Sequence, residues 1–340
     1  MITLDTNKIE TSASALRYFD ESSMLHQFGE FEGELLNEKF SLQGGGVGFN
    51  YFEYNKKKDS IILQTSAKIL GDDYLKGISI NNIERVFDQV NRMGEGKFEI
   101  DATRAIDEGR FISIDTTDNV VVDRELMEYF EAFRAYRSSQ KYKSEFYNQR
   151  GNQGITYKGN QTSFKERMII YNKYIELSQK PDNAPFLKTL DNPTKLLNDS
   201  RKILRVEQNS VNLRKIRERL NVSSTSILGV LGSPMKPNYN LLMKIIKGAE
   251  QLEIFDDLDR FATFSDFEKY KGRESIIKES GYDLEVISTL MKHFYKDSTN
   301  FSRQMRQYRS LTFSILESER VVKGGHSGLV DEVLQLLKAS

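Results

Sequence analysis

Val47-Gly-Phe-Asn-Tyr-Phe-Glu-Tyr54, Asn55-Lys-Lys-Lys-Asp59, Ser60-Ile-Ile-Leu-Gln-Thr-Ser-Ala67 is the stretch that decides the fold class. Two runs rich in aromatic and β-branched residues flank five polar ones, the pattern of a β-hairpin. Outward from it, Ile80, Ile83, Phe87 and Val90 recur at helical spacing. Two further apolar runs, Phe98 to Ala102 and Phe111 to Asp115, are split by Asp107-Glu-Gly109 and read as a second hairpin. Leu126, Phe130 and Phe133 mark a second helix, and strands follow at Ile155 to Tyr157, Phe164 to Tyr171 and Ile203 to Glu207. Hairpin, helix, hairpin, helix and more strands predict an α+β fold, a largely antiparallel sheet with packed helices.

All five prolines fall in two clusters, Pro181, Pro185 and Pro193, then Pro234 and Pro237. The second, Gly232-Ser-Pro-Met-Lys-Pro-Asn238, precedes a tail whose apolar residues keep helical spacing, as in Leu241, Leu242, Ile245, Ile246 and Ala249. Similar patterns recur near 283–295, 311–321 and 329–337. The reading is an α+β domain over 1–228 and an all-helical C-terminal domain over 239–340, for DNA binding or self-association. Gly324-Gly-His-Ser-Gly328 reads as a hinge before a last amphipathic helix through Leu329, Val333, Leu336 and Leu337.

Composition narrows the chemistry. The 340 residues contain no Cys and three His, which removes disulfides, thiol nucleophiles and Cys-ligated metals, and leaves too little His for a poly-His site. His26, His293 and His326 stand apart from one another. Gly44-Gly-Gly-Val-Gly48 lacks the Gly-Lys-Ser/Thr ending of a phosphate loop and precedes a strand, so it reads as a turn. No apolar run reaches the roughly 20 residues needed to span a bilayer, and the start has no signal-peptide layout, so a soluble cytoplasmic protein with no membrane partner is expected.

Lys plus Arg and Asp plus Glu each total 49, but the charge is unevenly placed. Residues 1–50 hold eight acidic and three basic side chains. Between Arg134 and Lys173, nine cations face two acids, and the same stretch carries Tyr136, Tyr142, Phe146, Tyr147, Tyr157, Phe164 and Tyr171 among Asn and Gln side chains. Cations for phosphates, aromatic faces for unpaired bases and amides for base edges are what a single-strand groove uses. Arg134, Arg137, Lys141, Lys143, Arg150, Lys158, Lys165 and Arg167 are its candidate DNA contacts. A second basic run, Arg201 to Arg219, carries seven cations against Glu207 and Glu218.

This stretch ends on Tyr171, where an alternating strand gives way to a helical turn, with Lys173 two residues on and Glu176 five on. A phenol is a poor nucleophile unless a cation favours its phenolate, and Lys173 is placed to supply one. The bland alternative is a tyrosine closing an apolar strand, in a chain with sixteen of them.

Four passages resemble the replication initiators of filamentous phages, the gene II/X family, and more distantly the Rep_trans initiators of rolling-circle plasmids and related relaxases. They are Ile62-Leu-Gln-Thr-Ser-Ala-Lys-Ile-Leu-Gly71 with Ser79-Ile-Asn-Asn-Ile-Glu84; Phe111-Ile-Ser-Ile-Asp-Thr-Thr-Asp-Asn119; Arg167-Met-Ile-Ile-Tyr-Asn-Lys173 with Glu176; and Ile203-Leu-Arg-Val-Glu207. They follow in the family's order over about residues 60–220. The resemblance implies a phage- or plasmid-encoded endonuclease and strand transferase that nicks origin DNA through a 5′-phosphotyrosyl intermediate and leaves a 3′ hydroxyl for host polymerase, with host helicase as a further partner. Carried over by position, Tyr171 is the nucleophile with Tyr174 as fallback, Lys173 its activator, and Asp115 and Glu207, with Asp118 as a weaker candidate, the ligands of Mg²⁺ or Mn²⁺. The rival readings are a DNA-binding replication protein without nuclease activity and a conjugative relaxase with the same chemistry.

Overall fold

The computed structural model describes residues 2–31, 34–134, 136–137, 142–149, 152–159, 166–247, 250–251, 263–294 and 298–340. The chain divides into two compact units, residues 1–250 with 331–340, and residues 251–330.

The first unit is built on a ten-stranded sheet. In chain order its strands are β1 (Leu4–Ser12), β2 (Leu25–Phe31), β3 (Glu34–Gly46), β4 (Phe49–Asn55), β5 (Ser60–Ser66), β6 (Arg110–Val121), β7 (Tyr142–Gln149), β8 (Asn152–Gly159), β9 (Arg167–Asn172) and β10 (Ile203–Ser210). Across the sheet they run β7-β8-β9-β10-β6-β1-β5-β4-β3-β2, with every neighbouring pair antiparallel. The opening hairpin forms as read. Lys58 N donates to Asn55 Oδ1 at 3.0 Å, and Asp59 takes φ 48°, a left-handed turn conformation that Asp tolerates better than most side chains. Alternation then buries Ile61 and Leu63, with Phe52 from the partner strand.

Helices α1 (Ile83–Met93), α2 (Ala102–Glu108), α3 (Leu126–Arg134), α4 (Lys173–Gln179), α5 (Pro193–Ser200), α6 (Leu213–Leu220) and α7 (Pro237–Lys247) belong to this unit. Ile83, Phe87 and Val90, read from the sequence as one helical face, are buried on α1 together with Val86, while Ile80 of that reading precedes the helix. Phe52 and Phe98 stack with centroids 4.3 Å apart in the same core.

Three expectations change. The second hairpin does not form: Asp101 caps α2 by accepting from Arg104 N at 3.1 Å, and that helix separates Phe98–Ile100 from β6. Phe98–Ile100 pairs instead with Leu16–Phe19 in a separate two-stranded sheet. The expected boundary between 228 and 239 lies inside the first unit. Asn238, wholly buried in α7, accepts from Thr116 Oγ1 at 3.1 Å and donates to Asp118 Oδ2 at 2.8 Å, which fastens the helix to β6. The glycine-rich stretch 324–328 is no break, because α10 (Ser298–Ala339) runs through it. Its last turns belong to the first unit, where Val333 and Leu337 are buried and Tyr129 donates to Glu332 Oε1 at 2.9 Å.

The second unit holds α8 (Phe264–Glu279), α9 (Leu284–Phe294) and most of α10, around Ile277, Ile287, Met291, Met305 and Tyr308. Among the described residues no helix is long and apolar enough to cross a membrane.

Candidate functional site

Register places the site. Tyr171 on β9 pairs with Arg205 on β10, and Arg205 with Asn119 on β6; Glu207 pairs with Thr117 and Asn209 with Asp115. With a side-chain period of two, Tyr171, Arg205, Glu207, Asn209 and Asp115 all share one face. A bulge in β1 adds Asp5. Leu4 pairs with Thr116 and Thr6 with Asp115, so Asp5 is the extra residue, and its carboxylate accepts from Arg205 Nη2.

Asn172 ends β9 and caps α4, its Oδ1 accepting from Ile175 N at 3.1 Å. The chain therefore turns into a helix two residues after Tyr171, at Lys173, whose ammonium reaches back to the tyrosine hydroxyl. Tyr171 Oη donates to Glu207 Oε1 at 2.7 Å. Lys173 Nζ donates to Tyr171 Oη at 3.3 Å, to Glu176 Oε2 at 2.7 Å and to Tyr74 Oη. Arg205 Nε donates to the same Glu207 oxygen at 2.8 Å. Lys173 is 1% exposed and Arg205 0%, and Arg205 Nη1 is buried with no hydrogen-bond partner among the described residues. Tyr74, 2% exposed, lies under both cations, its ring centroid 4.6 Å from Lys173 Nζ and 5.1 Å from Arg205 Cζ.

Burial and paired charge set the electrostatics. Burial, with Arg205 nearby, brings the Lys173 ammonium down to about 8 against the pull of Glu176. Burial pushes Glu176 up, but the Lys173 ammonium outweighs it and holds the carboxyl at about 2. Burial and the Glu207 carboxylate push the Tyr171 phenol well above 10. Asp115 is pushed up to about 6 by burial, with Glu207 and Asp5 adding to the effect and the bond from Asn209 Nδ2 opposing it. Glu207 is raised by burial and by Asp5.

Of the residues singled out from sequence, Tyr171, Lys173, Glu176, Glu207 and Asp115 come together. Asp118 does not: three residues from Asp115 it faces the other way, bonded by Asn238 and, at 3.0 Å, by Ser340 Oγ. It cannot share a ligand with Asp115 across the sheet. Tyr174 lies on α4 with its ring 5.2 Å from the Arg201 guanidinium carbon, outside the hydrogen bonds of the Lys173 cluster. Lys143, Lys158 and Arg167 pair in register as one exposed row on the Tyr171 face. Arg134 is exposed on α3, its guanidinium 5.4 Å from the Phe146 ring, which faces away from Tyr147 and hence from the site. Lys141, Arg150 and Lys165 lie outside the described residues, as does the side chain of Arg137. His26 stacks on Phe40 and faces Glu38 on the far strands β2 and β3.

Asp5, Tyr74, Asn209 and Arg205 were not read as site residues from sequence. Arg205 was in reach, since alternation in Ile203-Leu-Arg-Val-Glu207 sets it on the Glu207 face. Asp5 depends on the bulge and Tyr74 on a long-range contact, and neither leaves a local signal.

No family model matches the chain, and no match is found among curated proteins. Among solved structures, it is similar to a rolling circle replication initiator protein from Geobacillus stearothermophilus, at 9% identity and a TM-score of 0.34, over 76% of this chain and 90% of that one.

Proposed function

We propose that the chain is a DNA-nicking and strand-joining enzyme that starts rolling-circle replication on single-stranded or locally melted origin DNA. The observation that carries this reading is the setting of Tyr171: its hydroxyl proton points at Glu207 Oε1, its oxygen receives a donor from buried Lys173, and a row of exposed cations lies on the same sheet face. The raised pKa keeps the phenol protonated at rest. Glu207, already in hydrogen-bond contact, takes the proton as Tyr171 Oη attacks the phosphorus, and the Lys173 ammonium holds the developing oxyanion. A phosphotyrosyl bond forms, the bond from phosphorus to the 3′ oxygen breaks, and the 3′ oxygen takes a proton from solvent water and leaves as a hydroxyl. The phosphodiester energy is kept in the new bond, so the reverse attack rejoins the strand. The freed hydroxyl would prime host polymerase, with a host helicase opening the duplex.

A divalent cation, Mg²⁺ or Mn²⁺, is part of the proposal. Glu207 Oε1 is occupied by Tyr171 and Arg205, and Asp115 Oδ1 by Asn209, which leaves one oxygen on each carboxylate without a hydrogen bond among the described residues. Among those residues no three acidic or imidazole groups form a metal cage. Mg²⁺ does not require one, being commonly held by one or two carboxylates with waters and substrate phosphate. Asp115 and Glu207 would hold it, and when bound it would polarise the scissile phosphate.

The test is incubation of the chain with single-stranded DNA of its own replicon and Mn²⁺, followed by denaturing electrophoresis. A covalent protein–DNA adduct in wild type and Tyr174→Phe, absent in Tyr171→Phe, is the expected result. Equal adducts in all three would remove Tyr171 as nucleophile, and tight binding with no adduct would favour the non-catalytic DNA-binding reading. A conjugative relaxase would give the same adduct and differ only in its strand.

A further inference from the structure

An open hollow of about 340 Å³ lies on the sheet face that carries Tyr171, since its lining residue Thr6 pairs with Asp115; it is walled by Asp5, Asn50, Lys68, Asp182 and Phe186 and by bare backbone at Gly48. Two hydrogen-bonded chains connect its wall to Tyr171. In one, Lys68 Nζ donates to Asn183 Oδ1 at 2.7 Å, Asn183 Nδ2 donates to Glu176 Oε1 at 3.0 Å, and Glu176 accepts from Lys173. In the other, Asp5 accepts from Arg205, which holds Glu207. The first chain is fixed from within, because Asn183 is 1% exposed and Lys68 lies 5.8 Å from the buried Phe186 ring. Gly48 has φ 85°, and a Cβ there would stand 2.2 Å from Ile69 N, so this wall admits no side chain.

The volume lies at the lower end of the roughly 300–1,000 Å³ range of ligand pockets. Its polar groups sort by role. Lys68 spends one donor on Asn183 and has two left for a phosphate. Asn50 and Asp182 are exposed and make no hydrogen bond among the described residues. A carboxylate only accepts, so Asp182 favours a base edge with an amino donor, as in adenine or cytosine, while the Asn50 amide can serve the adjoining ring nitrogen. Thymine offers one donor, N3–H, flanked by two carbonyls that a carboxylate repels, whereas the amino group of adenine or cytosine carries a free donor at the edge.

We infer that this hollow takes the base next to the scissile phosphate, unstacked from its strand, with Lys68 on the adjoining phosphate and Asp182 selecting an amino-bearing base over thymine. The inference rests on the strand-cutting reading and gives it a source of sequence preference. An unpaired base is recognised on its Watson–Crick edge in this way, and in a single strand the cost of unstacking is small.

Fluorescence anisotropy with labelled dA20, dC20 and dT20 tests it. Wild type should bind dA20 and dC20 at least threefold more tightly than dT20. Asp182→Asn, an exposed position whose new amide can donate to thymine carbonyls, should level the three, while Lys68→Met should weaken all three alike. Equal affinities in wild type, a preference for dT20, or a preference that persists unchanged in Asp182→Asn overturns the pocket while leaving strand binding intact. Failure to bind any of the three oligonucleotides overturns the strand-cutting reading and the pocket with it.

Discussion

Lys173 is a full charge taken almost wholly out of water, and its partners decide whether the fold tolerates it. Desolvating an ammonium costs several kcal/mol unless a close opposite charge and further hydrogen bonds offset it. Glu176 at 2.7 Å supplies that charge, and the Tyr74 and Tyr171 hydroxyls take the remaining protons. Glu176→Gln leaves the cation buried among neutral hydrogen-bond partners with no ion pair of its own, and the expected loss is about 3 kcal/mol in urea unfolding at pH 7. The pH dependence has a definite sign. The Glu176 carboxyl is held at about 2 in the fold, below its value of 4.5 when exposed, so its contribution is complete above pH 4.5 and drains away as pH falls toward 2. Wild type should lose stability across that window and the Gln variant should lose less. Parallel curves would mean that Lys173 is charge-balanced elsewhere, with Asp5 and Glu207 the nearest alternatives.

One position on β8 governs how the strands beside the tyrosine meet. Gly154 pairs with Tyr171, and a Cβ on it would stand 2.3 Å from Ile170 O, 2.8 Å from Tyr171 Cβ and 2.9 Å from Tyr147 Oη. Two of these atoms belong to the neighbouring strand, so no rotamer change relieves the crowding. Gly154→Ala should therefore push β8 from β9, cost about 1–3 kcal/mol in urea unfolding and displace Tyr171 from Glu207. Wild-type stability in this variant would show that the strand gap is wider than these contacts. Local signals explain what was legible at this scale. The hairpin at 47–67 and α1 carry strong periodicity, and both form where read. Gly154 lies just ahead of the strand read at Ile155 to Tyr157, and its crowding exists only once β7, β8 and β9 are side by side. The N-terminal strands were missed because β1 mixes Asp5, Thr6, Asn7 and Lys8 into its pattern: Asn7 is buried against Thr65, a polar pair that looks like surface in one dimension. Asp115 was read at a strand end, whereas β6 runs on to Val121, because Thr116, Thr117 and Asp118 are held by β10 and α7 and not by a turn.

At the scale of the whole molecule, the balance of 49 cations against 49 acids says little, and the sheet face on which a charge lies says a good deal. Lys143, Lys158 and Arg167 form one row across β7, β8 and β9, and Arg167 stands four residues from Tyr171, roughly 13 Å along the strand. Arg134 counted equally with them in the sequence but belongs to a helix on the opposite side. The three are also unequal among themselves. Lys158 pairs with Glu145 at 2.6 Å, so its charge is partly spent and its removal exposes an acid to the strand, whereas Lys143 and Arg167 make no ion pair among the described residues. For single-stranded DNA each phosphate contact contributes about 0.7 to the slope of log affinity against log salt. Binding of dT20, titrated from low to moderate salt, should then lose about 0.7 of slope in Lys143→Gln and again in Arg167→Gln. Lys158→Gln should weaken binding with a smaller change of slope, and Arg134→Gln should leave the slope as in wild type. A slope that falls with Arg134→Gln and holds with Arg167→Gln would put the strand on the helix-covered side of the sheet, away from Tyr171, and would remove the cations from the proposed cutting site.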